Sequence, residues 1–328
     1  MYRVFCLVYL IAFGLISSQQ LDAAYLFKNG TFINSKDVAT LPVEEHYQLG
    51  MQAIHDKNWK EAIQQLRIVT INFPESSWAK QALYFLGVSY FHDSDMDLAN
   101  QNFSEYLQTN ANPEYFEEIF RYKLAIADAF RKGHKRHLFG YETLPQWMPD
   151  SDMSIVIYDE IIQALANHEI AAKALLAKAG YLKKQQEFRK CTECLQSAIR
   201  KFPKSEFAAI AYVQIAKTYL SQASLDAHNP DILALAEINR KKFAQDFPRD
   251  PKIEVVDSTI CQMKEVFAKA LYDTGALYER KKQPKAAVLY YHTVTRQFPE
   301  TLVALACQKR LTELEPYAKD LDLTASTR

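Results

Sequence analysis

The stretch Leu271–Pro299, LYDTGALYERKKQPKAAVLYYHTVTRQFP, constrains this chain more than any other. Leu271, Gly275 and Tyr278 share one face of a first helix, at spacings of four and three. Ala287, Tyr291 and Val294 do the same on a second helix. Small residues at Gly275 and Ala287 let the two backbones approach, and the large residues beside them fill the remaining space. Phe298-Pro299 ends the unit, because proline donates no backbone hydrogen bond and biases the preceding residue away from helical angles. A helix pair of this size cannot bury its own apolar face, so it requires neighbours of the same kind.

Those neighbours are present in register. With Pro74 as the closing proline, Gly50, Ala62, Leu66 and Val69 take the places of Gly275, Ala287, Tyr291 and Val294, and Trp59 opens the second helix. A further copy has Leu86-Gly87, Tyr90, Ala99 and Phe103 and closes near Pro113. Another has Ala179, Phe188, Cys191, Leu195 and Ala198 before Phe202-Pro203. The next has Ala216, Tyr219, Ala236 and Phe243 before Phe247-Pro248, its halves held apart by extra residues around Ser224–Asp231. This order of small, aromatic and proline positions is that of the tetratricopeptide repeat, a helix-turn-helix of about 34 residues. The predicted fold is all-α, a superhelix of about six such pairs with a C-terminal capping helix. Gly50, Gly87, Ala179, Ala216 and Gly275 are expected at close helix contacts.

Residues 1–24 stand apart from this pattern. Arg3 precedes an apolar run, Val4–Ile16, then polar Ser17–Gln20 and small Ala23 and Ala24, the form of a cleaved secretory signal. No acylation motif surrounds Cys6, and no later stretch is apolar enough to span a bilayer, so an exported protein without lipid, soluble or peripherally attached to a membrane, is expected. Residues 25–42 read as an extended or loosely packed leader. Helical pairs then fill 43–133, an inserted loop with Gly140, Pro145, Pro149, Phe139, Tyr141 and Trp147 occupies 134–150, and pairs resume over 151–316. The last helix, with Leu302, Leu305, Leu311 and Leu314 on one side, suits a cap, and 317–328 form a frayed tail. The insert reads as an aromatic plug against a neighbouring repeat.

The chain has no formal net charge, which removes the electrostatic basis for a nucleic-acid partner. No catalytic constellation and no cofactor or metal signature is visible: there is no glycine-rich phosphate loop, no Gly-x-Ser-x-Gly and no His-Glu-x-x-His. His134 and His137 lack further ligands. Cys191-x-x-Cys194 has no second pair to complete a zinc site, and Cys191 stands where the other units place alanine, so a core thiol is the better reading, with a disulfide as the alternative.

The more informative surface is the concave wall. In each unit, one stripe of the first helix packs on its partner and the opposite stripe lines the inner face. In the first unit that stripe is Tyr47, Met51 and Ile54, with His55 at the rim. In the second it is Tyr84, Val88 and Phe91, with His92 at the rim; these histidines would make binding pH-sensitive. In the last it is Tyr272, Ala276, Glu279 and Arg280, a more polar set. An apolar groove for extended, aromatic-rich peptides is expected in the first two units unless residues 25–42 cover it.

The segments EEHYQLGMQAIHDKNWKEAIQQLRIVTINFPESSWAKQALYFLGVSYF and FAKALYDTGALYERKKQPKAAVLYYHTVTRQFPET resemble the first repeats and the last repeat of the BamD (ComL) family of outer-membrane assembly factors. The resemblance implies a non-enzymatic adaptor on the periplasmic side of the outer membrane. It further implies that the amino-terminal repeats recognise unfolded outer-membrane barrel proteins, and that the carboxy-terminal repeats dock on the BamA-like barrel-inserting protein. The family is normally lipid-anchored and carries five repeats; here no acylated cysteine is visible and the insert at 134–150 has no assigned counterpart. A periplasmic scaffold for a cell-wall or secretion complex is the alternative reading.

Overall fold

A computed structural model describes residues 25–28, 31–138 and 145–318. The signal-like residues 1–24, the aromatic residues Phe139 and Tyr141, and the tail beyond 318 lie outside the described residues. The chain divides into two compact units, residues 1–153 and 154–328.

Among the described residues, the first unit carries five α-helices: α1 (Val43–His55), α2 (Trp59–Asn72), α3 (Ser77–His92), α4 (Met96–Thr109) and α5 (Phe116–Arg131). The second carries α6 (Met153–Ala164), α7 (Glu169–Lys184), α8 (Phe188–Lys201), α9 (Glu206–Leu225), α10 (Asp231–Asp246), α11 (Lys252–Arg280), α12 (Pro284–Gln297), α13 (Leu302–Glu313) and α14 (Glu315–Ala318). The fold is a tetratricopeptide-repeat array, and the same local chemistry writes each turn. Phe73, Phe202, Phe247 and Phe298 are helix C-caps, and the proline after each stops propagation. Two residues past that proline, Ser76, Ser205 and Thr301 accept from Ala79, Ala208 and Ala304 N–H and start the next helix. Within pairs, Lys57, Ser94, Gln186 and Lys282 adopt positive φ between 57° and 67°. The N–H of the residue after each reaches back to a carbonyl of the last helical turn, as in Asn58 to Ala53 (2.8 Å) and Gln283 to Tyr278 (2.9 Å).

The small positions decide how closely the helices pack. A Cβ added at Gly50 would lie 2.9 Å from Leu66, at Gly87 2.7 Å from Phe103, and at Gly275 2.7 Å from Tyr291. Each partner stands sixteen residues further along, so the register read from the sequence is the packing register. Ala179, Ala216, Ala236 and Ala287 are likewise fully buried. Cys191 is 1% exposed in the same core, its sulfur 3.4 Å from Thr218 Oγ1. Burial raises its thiol pKa and pushes that of Cys194 up to about 11, so both stay neutral; all four described cysteines are free.

Two segments carry structure beyond the helical repeats. Within residues 25–42 the chain is extended and then docks on the first helices. Tyr25–Lys28 (β1) and Thr31–Asn34 (β2) form an antiparallel hairpin, followed by a 3-10 turn, Ser35–Asp37. Arg67 of α2 pairs with Asp37 at 2.7 Å, and Asn72 donates to the Asp37 carbonyl at 2.7 Å. His46 Nε2 accepts from the Thr40 and Leu41 N–H groups, both at 3.2 Å. Buried polar groups that find such partners hold a segment in place. The described residues of the insert form a second hairpin, Lys135–His137 (β3) with Gln146–Pro149 (β4). Polar groups seat it: Arg136 lies between Asp97 and Asp150, and His137 Nε2 meets Asp95 Oδ2 at 2.7 Å. Trp147 stands 69% exposed on this hairpin.

The polar stripe of the last repeat is also engaged. Glu279 accepts from the Tyr291 hydroxyl at 2.6 Å and pairs with Arg310 of the capping helix α13. Burial opposes the Glu279 charge, yet Arg310 and Tyr291 together hold its carboxyl below its ordinary value of 4.5. A carboxyl with a depressed folded pKa contributes stability that is present above its unfolded value and lost as pH falls through the folded one. Acid unfolding of the wild-type chain is therefore expected to steepen below pH 4.5, and Glu279→Gln to flatten that limb. Parallel slopes for the two proteins in denaturant titrations at stepped pH would disprove it.

Candidate peptide-binding groove

The inner stripe of the first unit is built on α1, α3 and the start of α5. Four expected side chains, Met51, Ile54, Val88 and Phe91, are partly exposed along it. Phe91 meets Tyr122 of α5 edge-on at 5.0 Å, and Tyr122 in turn stacks on Phe103. Tyr47 and Tyr84 do not stand open as expected. Tyr47 is 7% exposed, its hydroxyl donating to Gln81 and its ring 4.7 Å from Trp78. Tyr84 is 4% exposed and lies flat beneath Tyr115, centroids 3.9 Å apart and planes within 8°. The physical reason is the turn into α5. It places Tyr115 over Tyr84, and aromatic faces exclude water more completely when stacked.

The two tyrosines are therefore buried, unlike the other four residues of the stripe. Burial, and then the Glu118 carboxylate that accepts its hydrogen bond, raise the Tyr84 hydroxyl pKa well above the usual range. It remains a donor at every physiological pH. Beside Tyr115, Glu114, Glu117, Glu118 and Arg121 line a recess of about 410 Å³, so this end of the groove is acidic. Of the rim histidines, His55 is exposed beside Asp56, whereas His92 stacks on Trp59 at 4.4 Å. The docked residues 36–41 bond to α2 and to His46 of α1; none of these bonds crosses the Met51–Phe91 stripe.

Trp78, Phe85, Tyr115 and Tyr122 complete this aromatic cluster and were not legible as groove residues. A signal did exist. Trp78 and Phe85 are seven apart, as are Tyr115 and Tyr122, and two helical turns bring such residues to one face.

Residues 40–132, which contain this groove, match an outer membrane lipoprotein family, and residues 269–301 match a tetratricopeptide repeat family. The outer membrane protein assembly factor BamD of Pasteurella multocida (strain Pm70) is 27% identical over 166 residues. That similarity covers 44% of this chain and 63% of the relative, so the chain spans somewhat under two thirds of the relative's length.

The chain is a BamD-like tetratricopeptide-repeat protein.

Solved structures aligned with this BamD-like chain include a tetratricopeptide repeat protein from Parabacteroides merdae ATCC 43184, at 10% identity and a TM-score of 0.35, covering 84% of this chain and 98% of the other. PilF of Pseudomonas aeruginosa aligns at 14% identity and a TM-score of 0.23, covering 82% and 97%. Among the described residues, no helix of the BamD-like chain is long and apolar enough to cross a membrane.

Proposed function

We propose that this protein is a non-enzymatic adaptor at the periplasmic face of the outer membrane, acting in the assembly of β-barrel proteins there. One observation carries the reading. The residues that match the outer membrane lipoprotein family, 40–132, are the residues that build the groove. In this reading Met51, Ile54, Val88 and Phe91 receive apolar side chains of an unfolded barrel protein. The buried Tyr47 and Tyr84 form the floor beneath them. The terminal strand of a barrel alternates apolar and polar residues and carries aromatic girdles, which suits a groove with a phenylalanine and an adaptable methionine at its surface. The second unit supplies the docking surface for the barrel-inserting protein.

The test is titration of a barrel protein's terminal-strand peptide into the wild-type chain and into Met51→Ala/Phe91→Ala. These side chains are partly exposed, so the double variant is expected to melt close to wild type while losing about tenfold in affinity, ~1.4 kcal/mol. Equal affinities for the two proteins would remove the groove from the reading. Tyr84→Ala is a poor probe of binding, because truncating a buried aromatic ring costs about 3–5 kcal/mol of stability.

A further inference from the structure

The α9–α10 pair breaks the rule that packs the other repeats, and a groove lies on one side of it. Four residues after the buried small position, α2, α4, α8 and α12 carry Leu66, Phe103, Leu195 and Tyr291, all fully buried. In α10 the small position is Ala236, and four residues on stands Arg240. Arg240 turns outward and pairs with Asp257 of α11 through Nε–Oδ1 and Nη2–Oδ2 contacts of 2.8 and 3.2 Å. The buried face of α10 continues through Asn239 instead, a short side chain whose Nδ2 donates to the Tyr212 carbonyl at 3.0 Å. A groove of about 320 Å³ lies between α8, α9 and α10.

Its lining is one-sided in charge. Tyr212, Ile215 and Tyr219 of α9 make the floor, and Leu235 and Ile238 of α10 stand on the wall at 46% and 48% exposure. The charged residues of the lining are Arg200 and Lys242, and no carboxylate lines the groove. Arg200 donates to Ser197 Oγ at 2.9 Å, and neither cation has a carboxylate partner among the described residues. Asp246, four residues after Lys242, accepts from the Tyr212 hydroxyl at 2.6 Å. Two exposed aliphatic side chains on a tyrosine floor, flanked by two unpaired cations, are complementary to a ligand that is apolar on one face and acidic on the other.

We propose that this groove docks an acidic amphipathic helix of a partner protein, leucine-type side chains seating against Leu235, Ile238 and Tyr219 and carboxylates meeting Arg200 and Lys242. The site is separate from the Met51–Phe91 groove and does not depend on the barrel-assembly reading. The probe is a fluorescein-labelled amphipathic peptide of leucine and glutamate, with a twin in which lysine replaces every glutamate, titrated into the full chain by anisotropy. The acidic peptide is expected to bind at least about tenfold tighter than its twin, and to lose about tenfold in Arg200→Glu/Lys242→Glu. Asn239→Leu, which puts a branched apolar side chain into the groove lining, is expected to reduce binding while the helical circular dichroism is retained. Met51→Ala/Phe91→Ala is expected to leave it unchanged. Equal binding of the twin, or acidic-peptide binding indifferent to the charge reversal, would overturn the proposal.

Discussion

Gly275→Leu is expected to lower the stability of the second unit by about 3 kcal/mol, the upper part of the range for overpacking a core. The first added carbon alone would sit 2.7 Å from Tyr291 Cε1 and 3.1 Å from two further ring atoms. The ring has little freedom to yield. Tyr291 is fully buried, its hydroxyl is held by Glu279, and Glu279 is held by Arg310 of the capping helix. The strain must therefore pass into the α11–α12 spacing and from there to the cap. For a unit of this size the loss corresponds to roughly 6–12 °C in Tm. The chain contains its own control. Gly180 of α7 is exposed, and a Cβ there would meet nothing within 4 Å. Gly180→Ala is expected to stabilise by up to about 1 kcal/mol through helix propensity alone. Calorimetric scans of the two variants should move in opposite directions. A Gly275→Leu protein that melts with wild type would mean that the close approach is not needed.

Arg136→Ala is expected to cost about 2–3 kcal/mol and to loosen the insert from the first unit. The Asp97 side chain is 1% exposed, and Arg136, about a third exposed, sits between it and Asp150. Burial opposes the guanidinium charge, and the two carboxylates more than offset it, so the Arg136 pKa is raised. Deleting the cation leaves the Asp97 carboxylate in a poorly solvated place, where it keeps the His137 N–H at 3.3 Å. Breaking a buried pair from one side costs more than the pair contributes, and the partial exposure of Arg136 moderates the loss. Asp97→Leu combined with Arg136→Met should recover much of the stability, because the uncompensated charge is then gone. Hydrogen exchange should quicken at β3, β4 and the first turn of α4 in Arg136→Ala and return toward wild type in the double variant. Unchanged exchange in Arg136→Ala would show that other contacts hold the hairpin.

The repeats were legible in the sequence because each rule that writes them is local. Phe-Pro followed by Ser or Thr is a stop, a turn and a start within four residues, and helix geometry converts a spacing of three or four into a shared face. Gly50, Gly87 and Gly275 could be matched to Leu66, Phe103 and Tyr291 because both members of each pair lie in one helix hairpin of constant length. The same logic put Met51, Ile54, Val88 and Phe91 on one stripe, and all four are partly exposed. It failed where a residue's surroundings come from another repeat. Tyr47 and Tyr84 have the spacing of open groove residues, and only the packing of Trp78 and Tyr115 over them buries them.

The polar seats follow the same division. Asp97 with Arg136, Asp37 with Arg67, and Glu279 with Arg310 join residues 39, 30 and 31 positions apart, and no periodicity pairs them. The groove beside Asn239 is of this kind too. The extra residues around Ser224–Asp231 shift α10 off the common register, and the sequence does not say whether Arg240 turns inward or outward. By itself the sequence determined the helices, their turns and the pairing of small with large side chains, because those depend on neighbours along the chain. Which inner surfaces stay open, and which cations remain without a carboxylate, was decided only by the tertiary structure, because burial and ion pairing depend on neighbours in space.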